Sequence, residues 1–139
     1  MTLLTRNDAD HIAHIEMKSP ARLNALSDAM LAALHATFDA IAEDDTIRVV
    51  ILSGAGKAFC AGHDLKEMQA GRDAADGGAA YFKDLFTRCA ALMQRIQTLP
   101  QPVIAQVHGI ATAAGCQLVA TCDMAIAADD TKFGVNGVN

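Results

Sequence analysis

Tryptophan is missing from this chain of 139 residues, tyrosine occurs once, and aromatics make up only 4% of it although 52% is hydrophobic. Its core must therefore be built from alanine, valine, isoleucine, leucine and methionine. Basic residues are outnumbered, 11 against 16, and nowhere form a stripe interleaved with aromatics, which excludes nucleic acid as a partner. The four cysteines (Cys60, Cys89, Cys116, Cys122) lack CxxC spacing and lie in apolar contexts. They read as reduced, buried thiols of a cytosolic-type compartment, not as a disulfide frame. No Pro-, Gly- or Ser-rich linker divides the chain, so one domain is expected. Asp8 and Asp10 stand where a signal peptide would be apolar, so none is expected. Val103 to Cys122 has no Asp, Glu, Lys or Arg. Gln106, His108, Gln117, two glycines and many alanines still exclude it as a membrane span.

What the chain does have is two small-residue loops, each running from a strand into a helix: Ala58 to Lys66 (AFCAGHDLK) and Ile110 to Leu118 (IATAAGCQL). Gly, Ala and Cys side chains let main chain approach a ligand closely. One backbone N–H from each loop can together grip an oxygen bearing developing negative charge.

The surrounding pattern reads as follows. Leu3 to Arg6 and Ile12 to Met17 are short strands joined by a turn over Asn7 to Asp10. Ser27 caps a helix whose Met30, Leu31, Leu34, Phe38 and Ile41 share one face. Val49 to Leu52 is a continuous apolar run, as in a strand covered on both sides. Asp64 caps a short helix through Met68, and Ala70 to Gly78 is the segment expected to be mobile. Phe82, Leu85, Phe86, Cys89, Met93 and Ile96 predict a second long helix, ended by Leu99 to Pro102. Strand Val103 to Val107, helix Ala113 to Thr121 and strand Met124 to Ala127 complete a mainly parallel α/β domain. Without a closing helix, the chain reads as an unfinished domain expected to expose apolar surface.

At the two loops the chain resembles the enoyl-CoA hydratase/isomerase (crotonase) superfamily. The matching stretches are NALS at Asn24 to Ser27, VVILSGAGKAFCAGHDLKEM at Val49 to Met68, PVIAQVHGIATAAGCQLVATCDMAIA at Pro102 to Ala127, and KFG at Lys132 to Gly134. The GHDLKE and ATAAGCQL variants look most like the subgroup called enoyl-CoA hydratase domain-containing protein 3. The resemblance implies an α/β fold, a crotonase-like (ClpP/crotonase) spiral of ββα units. Residues 1–139 would be its N-terminal part, with the C-terminal helical part absent.

The ligand implied is an acyl-CoA thioester, with coenzyme A as part of the substrate and no separate cofactor or metal. His63 and Ala114 match the two oxyanion N–H donors, and Gln117 matches a catalytic glutamate. The second glutamate falls at Gly137 if no gap intervenes. Arg22, Asn24, Ala25 and Leu26 match the adenine end of the CoA site, continued by His63, Asp64, Leu65 and Lys66. Lys57 and Lys66 are candidates for CoA phosphates. The family implies a homotrimer or hexamer working in fatty-acid metabolism. The lack of a transit-like leader points to a bacterial cytoplasm, with the mitochondrial matrix as the alternative.

Neither glutamate position offers a carboxylate here, and glutamine has no useful basicity near neutral pH. Asp64, Glu67 and Asp123 are the acids nearest to the loops, though capping, a solvated face and a turn explain each of them more simply. The His63 ring is expected to point away from the oxygen that its N–H binds. A thiol nucleophile at Cys60 or Cys116 has no paired His and acid. Gly54-Ala55-Gly56-Lys57 lacks the following Ser or Thr of a P-loop. His11 and His14 lie on opposite strand faces, which disfavours a metal site. Two functions stay open: an enzyme of the lyase or isomerase class with doubtful hydration activity, or a non-catalytic acyl-CoA-binding or regulatory partner of active relatives.

Overall fold

The computed structural model describes residues 2–135. β1 (Leu4–Ala9) and β2 (Ile12–Met17) form an antiparallel hairpin. Its turn is Asp10-His11, at φ 52° and 66°, and not Asn7 to Asp10. Two consecutive residues with positive φ match the twist of the flanking strands, so pairing runs further up β1 than its apolar residues indicate. β3 (Val49–Gly54), β4 (Val103–Val107) and β6 (Met124–Ala127) add in parallel, giving a five-stranded sheet ordered β1-β2-β3-β4-β6.

A second, smaller layer grows beside it. β5 (Ile110–Thr112) pairs in parallel with β7 (Lys132–Gly134), and single parallel bridges join Cys60 to Ala111 and Leu26 to His63. Each turn of the chain thus sends one strand to the large sheet (a hairpin in the first) and a short extended segment to the small one, and the first three turns go on into helix. This is the spiral of ββα units that the resemblance implied.

The helices follow their sequence signals closely. α1 (Asp28–Ala42) is capped by Ser27, whose Oγ accepts from the Met30 N–H at 3.1 Å. Its buried residues are the five expected: Met30, Leu31, Leu34, Phe38 and Ile41. α2 (Leu65–Arg72) runs one turn further than expected. The Asp76 carboxylate then accepts from the Gly78 and Ala80 N–H groups, which organises the stretch expected to be mobile into the entry of α3 (Ala79–Thr98). α3 buries Leu85, Cys89, Leu92, Met93 and Ile96, while Phe86 stays 52% exposed. α4 (Ala114–Thr121) packs Leu118 into the core.

The expectation for β3 is corrected. Val50 and Leu52 are fully buried, but Ile51 is only half-buried. It faces an open depression with Thr5, Asn7, His14, Glu16, Ser53 and Gln106, so among the described residues the sheet is covered on one face only. Met124, Ile126, Phe133 and Val135 are exposed at the C-terminal edges of the two sheets. Among the described residues no helix is long and apolar enough to cross a membrane.

Candidate functional site

The two loops are stitched together by main chain. The Phe59 and Cys60 N–H groups donate to the Ile110 carbonyl at 3.0 and 3.2 Å, and the Thr112 N–H returns to Cys60 O at 3.1 Å. Glycines make this approach possible. A Cβ on Gly115 would stand 2.1 Å from Cys60 O, and one on Gly109 (φ 63°) 2.0 Å from Lys57 O. The loops are thus positioned by backbone contact that side chains would forbid.

The same stitching exposes two donors. The Leu26 N–H donates to Gly62 O at 2.7 Å, the Ala113 N–H to Gly134 O at 2.8 Å, and the Gln117 N–H to Ala113 O at 3.1 Å. Among the described residues the N–H groups of His63 and Ala114 have no acceptor. Ala114 opens α4, where amides lack helical partners and the helix dipole adds partial positive charge. The two sites adjoin: a Cβ on Gly62 (φ 96°) would lie 3.3 Å from the Ala114 nitrogen.

Two cavities meet there, and His63 and Ala113 line both. The smaller, about 470 Å³, is completed by Phe86, Cys89, Ala90, Ala114, Gln117 and Val135. The larger, about 600 Å³, runs past Thr112, Ala25, Leu65 and Met68 and carries two cations, Arg22 and Lys66. One cavity is apolar apart from His63 and Gln117; the other carries Arg22 and Lys66 against one acid, Asp64, which pairs with Arg22, and is net positive. Such a junction fits a molecule with an apolar end, a polarised carbonyl in the middle and an anionic end.

Most expected site residues fall on this junction, but three do not. Arg22, Ala25, His63, Asp64, Leu65 and Lys66 line the larger cavity; Ala114 and Gln117 line the smaller. Asn24 and Leu26 are wholly enclosed and touch neither. The Asn24 amide donates to Ala55 O and Ala58 O, both at 2.9 Å, and accepts from the Ser19 N–H. Asn24 therefore fastens the Ser19 loop to the first small-residue loop and leaves nothing to offer a ligand. Leu26 is core. Lys57 also lies outside both linings. Gly137 lies outside the described residues.

The neighbouring acids are committed elsewhere. Asp64, 5% exposed, caps α2 by accepting from the Lys66 and Glu67 N–H groups and pairs with Arg22. Glu67 accepts from the Asp28 N–H at 2.8 Å at the start of α1, and Asp123 accepts from the Val103 N–H at 2.7 Å at the start of β4. Burial pushes the Cys60 thiol up to about 11 and that of Cys122 to about 12, so neither is a thiolate near neutral pH.

Two features escaped the sequence. The His63 ring lines both cavities and sets its edge against Phe86, with centroids 5.8 Å apart. Desolvation lowers its pKa, opposed by the Leu26 main chain and the Asp28 carboxylate. The other is Ala113, held at φ 52°, ψ −125°, a conformation suited to glycine. Strain of this kind costs on the order of 1–3 kcal/mol and clusters at functional sites. Ala113→Gly is expected to stabilise the fold by about 1 kcal/mol, the relieved strain outweighing the added freedom of the unfolded chain. Urea denaturation checks this, since an unstrained alanine would give the opposite sign.

Comparison with known proteins agrees with this fold. Residues 7–139 match the enoyl-CoA hydratase/isomerase family model. Enoyl-CoA hydratase domain-containing protein 3, mitochondrial, from Xenopus laevis is 45% identical over 139 residues, which is 99% of this chain and 46% of that protein. Its Homo sapiens counterpart is 43% identical over 132 residues, 94% of this chain and 41% of that protein. The chain thus spans about half the length of the curated relatives it matches. A crystal structure of an enoyl-CoA hydratase from Mycobacterium smegmatis superposes with a TM-score of 0.92 at 51% identity, covering 99% of this chain and 52% of that one. The human domain-containing protein 3 structure superposes with a TM-score of 0.90 at 40% identity, covering 99% of this chain and 53% of that one. By the match over residues 7–139 and these identities, the chain belongs to the enoyl-CoA hydratase/isomerase family.

Proposed function

We propose that the chain binds an acyl-CoA thioester. Its carbonyl oxygen lies between the N–H groups of His63 and Ala114, and its acyl group fills the cavity under Phe86. Its phosphates run past Arg22 and Lys66, and coenzyme A enters only as part of this ligand. The observation that carries the reading is the pair of unused amides at the junction of an apolar and a cationic cavity.

Hydration is a separate matter. General acid–base catalysis contributes roughly 10²–10⁴-fold per group, and the acyl cavity offers Gln117 where a carboxylate would stand. Binding without efficient hydration follows. The same glutamine favours a second reading, a non-catalytic binder or regulatory partner of active relatives. Assembly into a trimer or hexamer is part of the proposal and follows from the family alone. The names of the curated relatives place those proteins in mitochondria, which fits the mitochondrial-matrix alternative; no comparison supports a bacterial cytoplasm.

Titration with crotonyl-CoA by calorimetry, followed by the loss of its enoyl absorbance, tests both levels. Saturable binding with little hydration is expected. Turnover abolished by Gln117→Ala would favour the enzyme reading, and absence of binding would end the proposal.

A further inference from the structure

The amides and cavities explain how a thioester is held but not what could act on it. A carbonyl gripped by two N–H donors makes the adjacent α C–H more acidic, because the electrons released on deprotonation settle on the gripped oxygen. Such a site becomes reactive only with a base beside that carbon.

The carboxylates are already engaged. Asp64, Glu67 and Asp123 each accept backbone N–H groups at an element's start, and none lines the acyl cavity. Gln117 is an amide. The Cys89 thiol faces that cavity, but burial raises its pKa. His63 is different: it lines both cavities, beside its own N–H donor. Its ring makes an edge contact with Phe86, and its Nδ1 is enclosed without a hydrogen-bond partner, which leaves Nε2 as the nitrogen able to meet a ligand. The charged and titratable groups around it are Asp28 at the start of α1, Asp64 and Lys66 at the start of α2, Arg22 on the preceding loop and Cys89 on α3.

We propose that the His63 imidazole is the proton-transfer group of this site, removing an α-proton from the bound thioester and returning it. The inference rests on the acyl-CoA reading. In the forward step the imidazole lone pair takes the proton. The C–H electron pair forms the Cα–C double bond, and the carbonyl π electrons move to the oxygen held by His63 and Ala114. In the return step the imidazolium gives its proton back to the α-carbon, or to the γ-carbon of an unsaturated chain, which moves the double bond. Nothing else is consumed. His63 thus serves twice, through its backbone N–H and through its side chain. Desolvation lowers the ring's pKa and so favours its neutral form, in which it is a base.

The test is deuterium uptake into but-3-enoyl-CoA in heavy water, read by mass spectrometry with the complete chain, together with calorimetric binding of the same thioester. The wild type is expected to exchange, with a rate that falls as the ring is protonated at acidic pH. His63→Ala keeps the backbone donor and should bind within about threefold of wild type. Its exchange should drop by roughly 10²-fold or more, lose the acidic limb and recover when free imidazole is added. Exchange by His63→Ala at the wild-type rate, or loss that imidazole does not restore, would overturn the assignment. Wild-type binding without exchange would also overturn it while leaving the acyl-CoA reading intact. Absence of wild-type binding would instead overturn that reading.

Discussion

Ala114→Pro is expected to lower the rate of any thioester chemistry the chain performs by roughly 10²–10³-fold, the usual cost of removing one oxyanion donor. The substitution is chosen for what it leaves alone. Ala114 is the first residue of α4, where proline is tolerated because the missing N–H had no helical partner. Among the described residues its amide bonds to nothing, so no protein hydrogen bond is lost. Removed are the donor and the space before it, which the proline ring fills. Ala114→Gly is the companion variant: it keeps the N–H and should stay within about tenfold of wild type, the helix losing about 1 kcal/mol of propensity. Exchange or hydration rates, with circular dichroism as the check on folding, distinguish the two. Equal rates in wild type and Ala114→Pro would show that this amide grips no reacting oxygen.

The second large effect is on stability. In an open helix, Gly→Ala stabilises by about 1 kcal/mol. At Gly115 the sign should reverse, with Gly115→Ala destabilising by about 2–3 kcal/mol, since the new Cβ would stand 2.1 Å from Cys60 O and 2.7 Å from Cys60 C. Both atoms belong to the backbone, so no side chain can rotate away. The loop must move, and thioester binding should weaken with it because His63 follows three residues after Cys60. Thermal unfolding measures the first effect and calorimetry the second. A more stable Gly115→Ala protein would mean that the loops do not meet as described.

The helices were legible because a periodic apolar face and a capping side chain are local signals. Ser27 and Asp64 both cap as the sequence indicated, and all five expected residues of α1 are buried. Less legible was anything settled by a contact distant in sequence. Asn24 is polar and sits in a matching motif, but its amide is consumed by carbonyls more than 30 residues away. Glu67 lies one turn from His63, yet it reaches back to the Asp28 amide. Ile51 reads as interior by composition alone, and only the uncovered sheet face explains its half-exposure. The neighbour of the His63 ring was hidden for a similar reason: Phe86 lies 23 residues on, in a helix whose apolar stripe gives no hint that one member overhangs a cavity. The strain at Ala113 lies in its φ, which required the backbone to be seen.

One measurement bears on all of this most directly: a crystal structure of the chain with crotonyl-CoA bound. The thioester oxygen is expected about 2.7–3.1 Å from the amide nitrogens of both His63 and Ala114, with the crotonyl chain beneath Phe86. An oxygen bonded to neither nitrogen, or an acyl chain lying outside the Phe86 cavity, would contradict the assignment of the site.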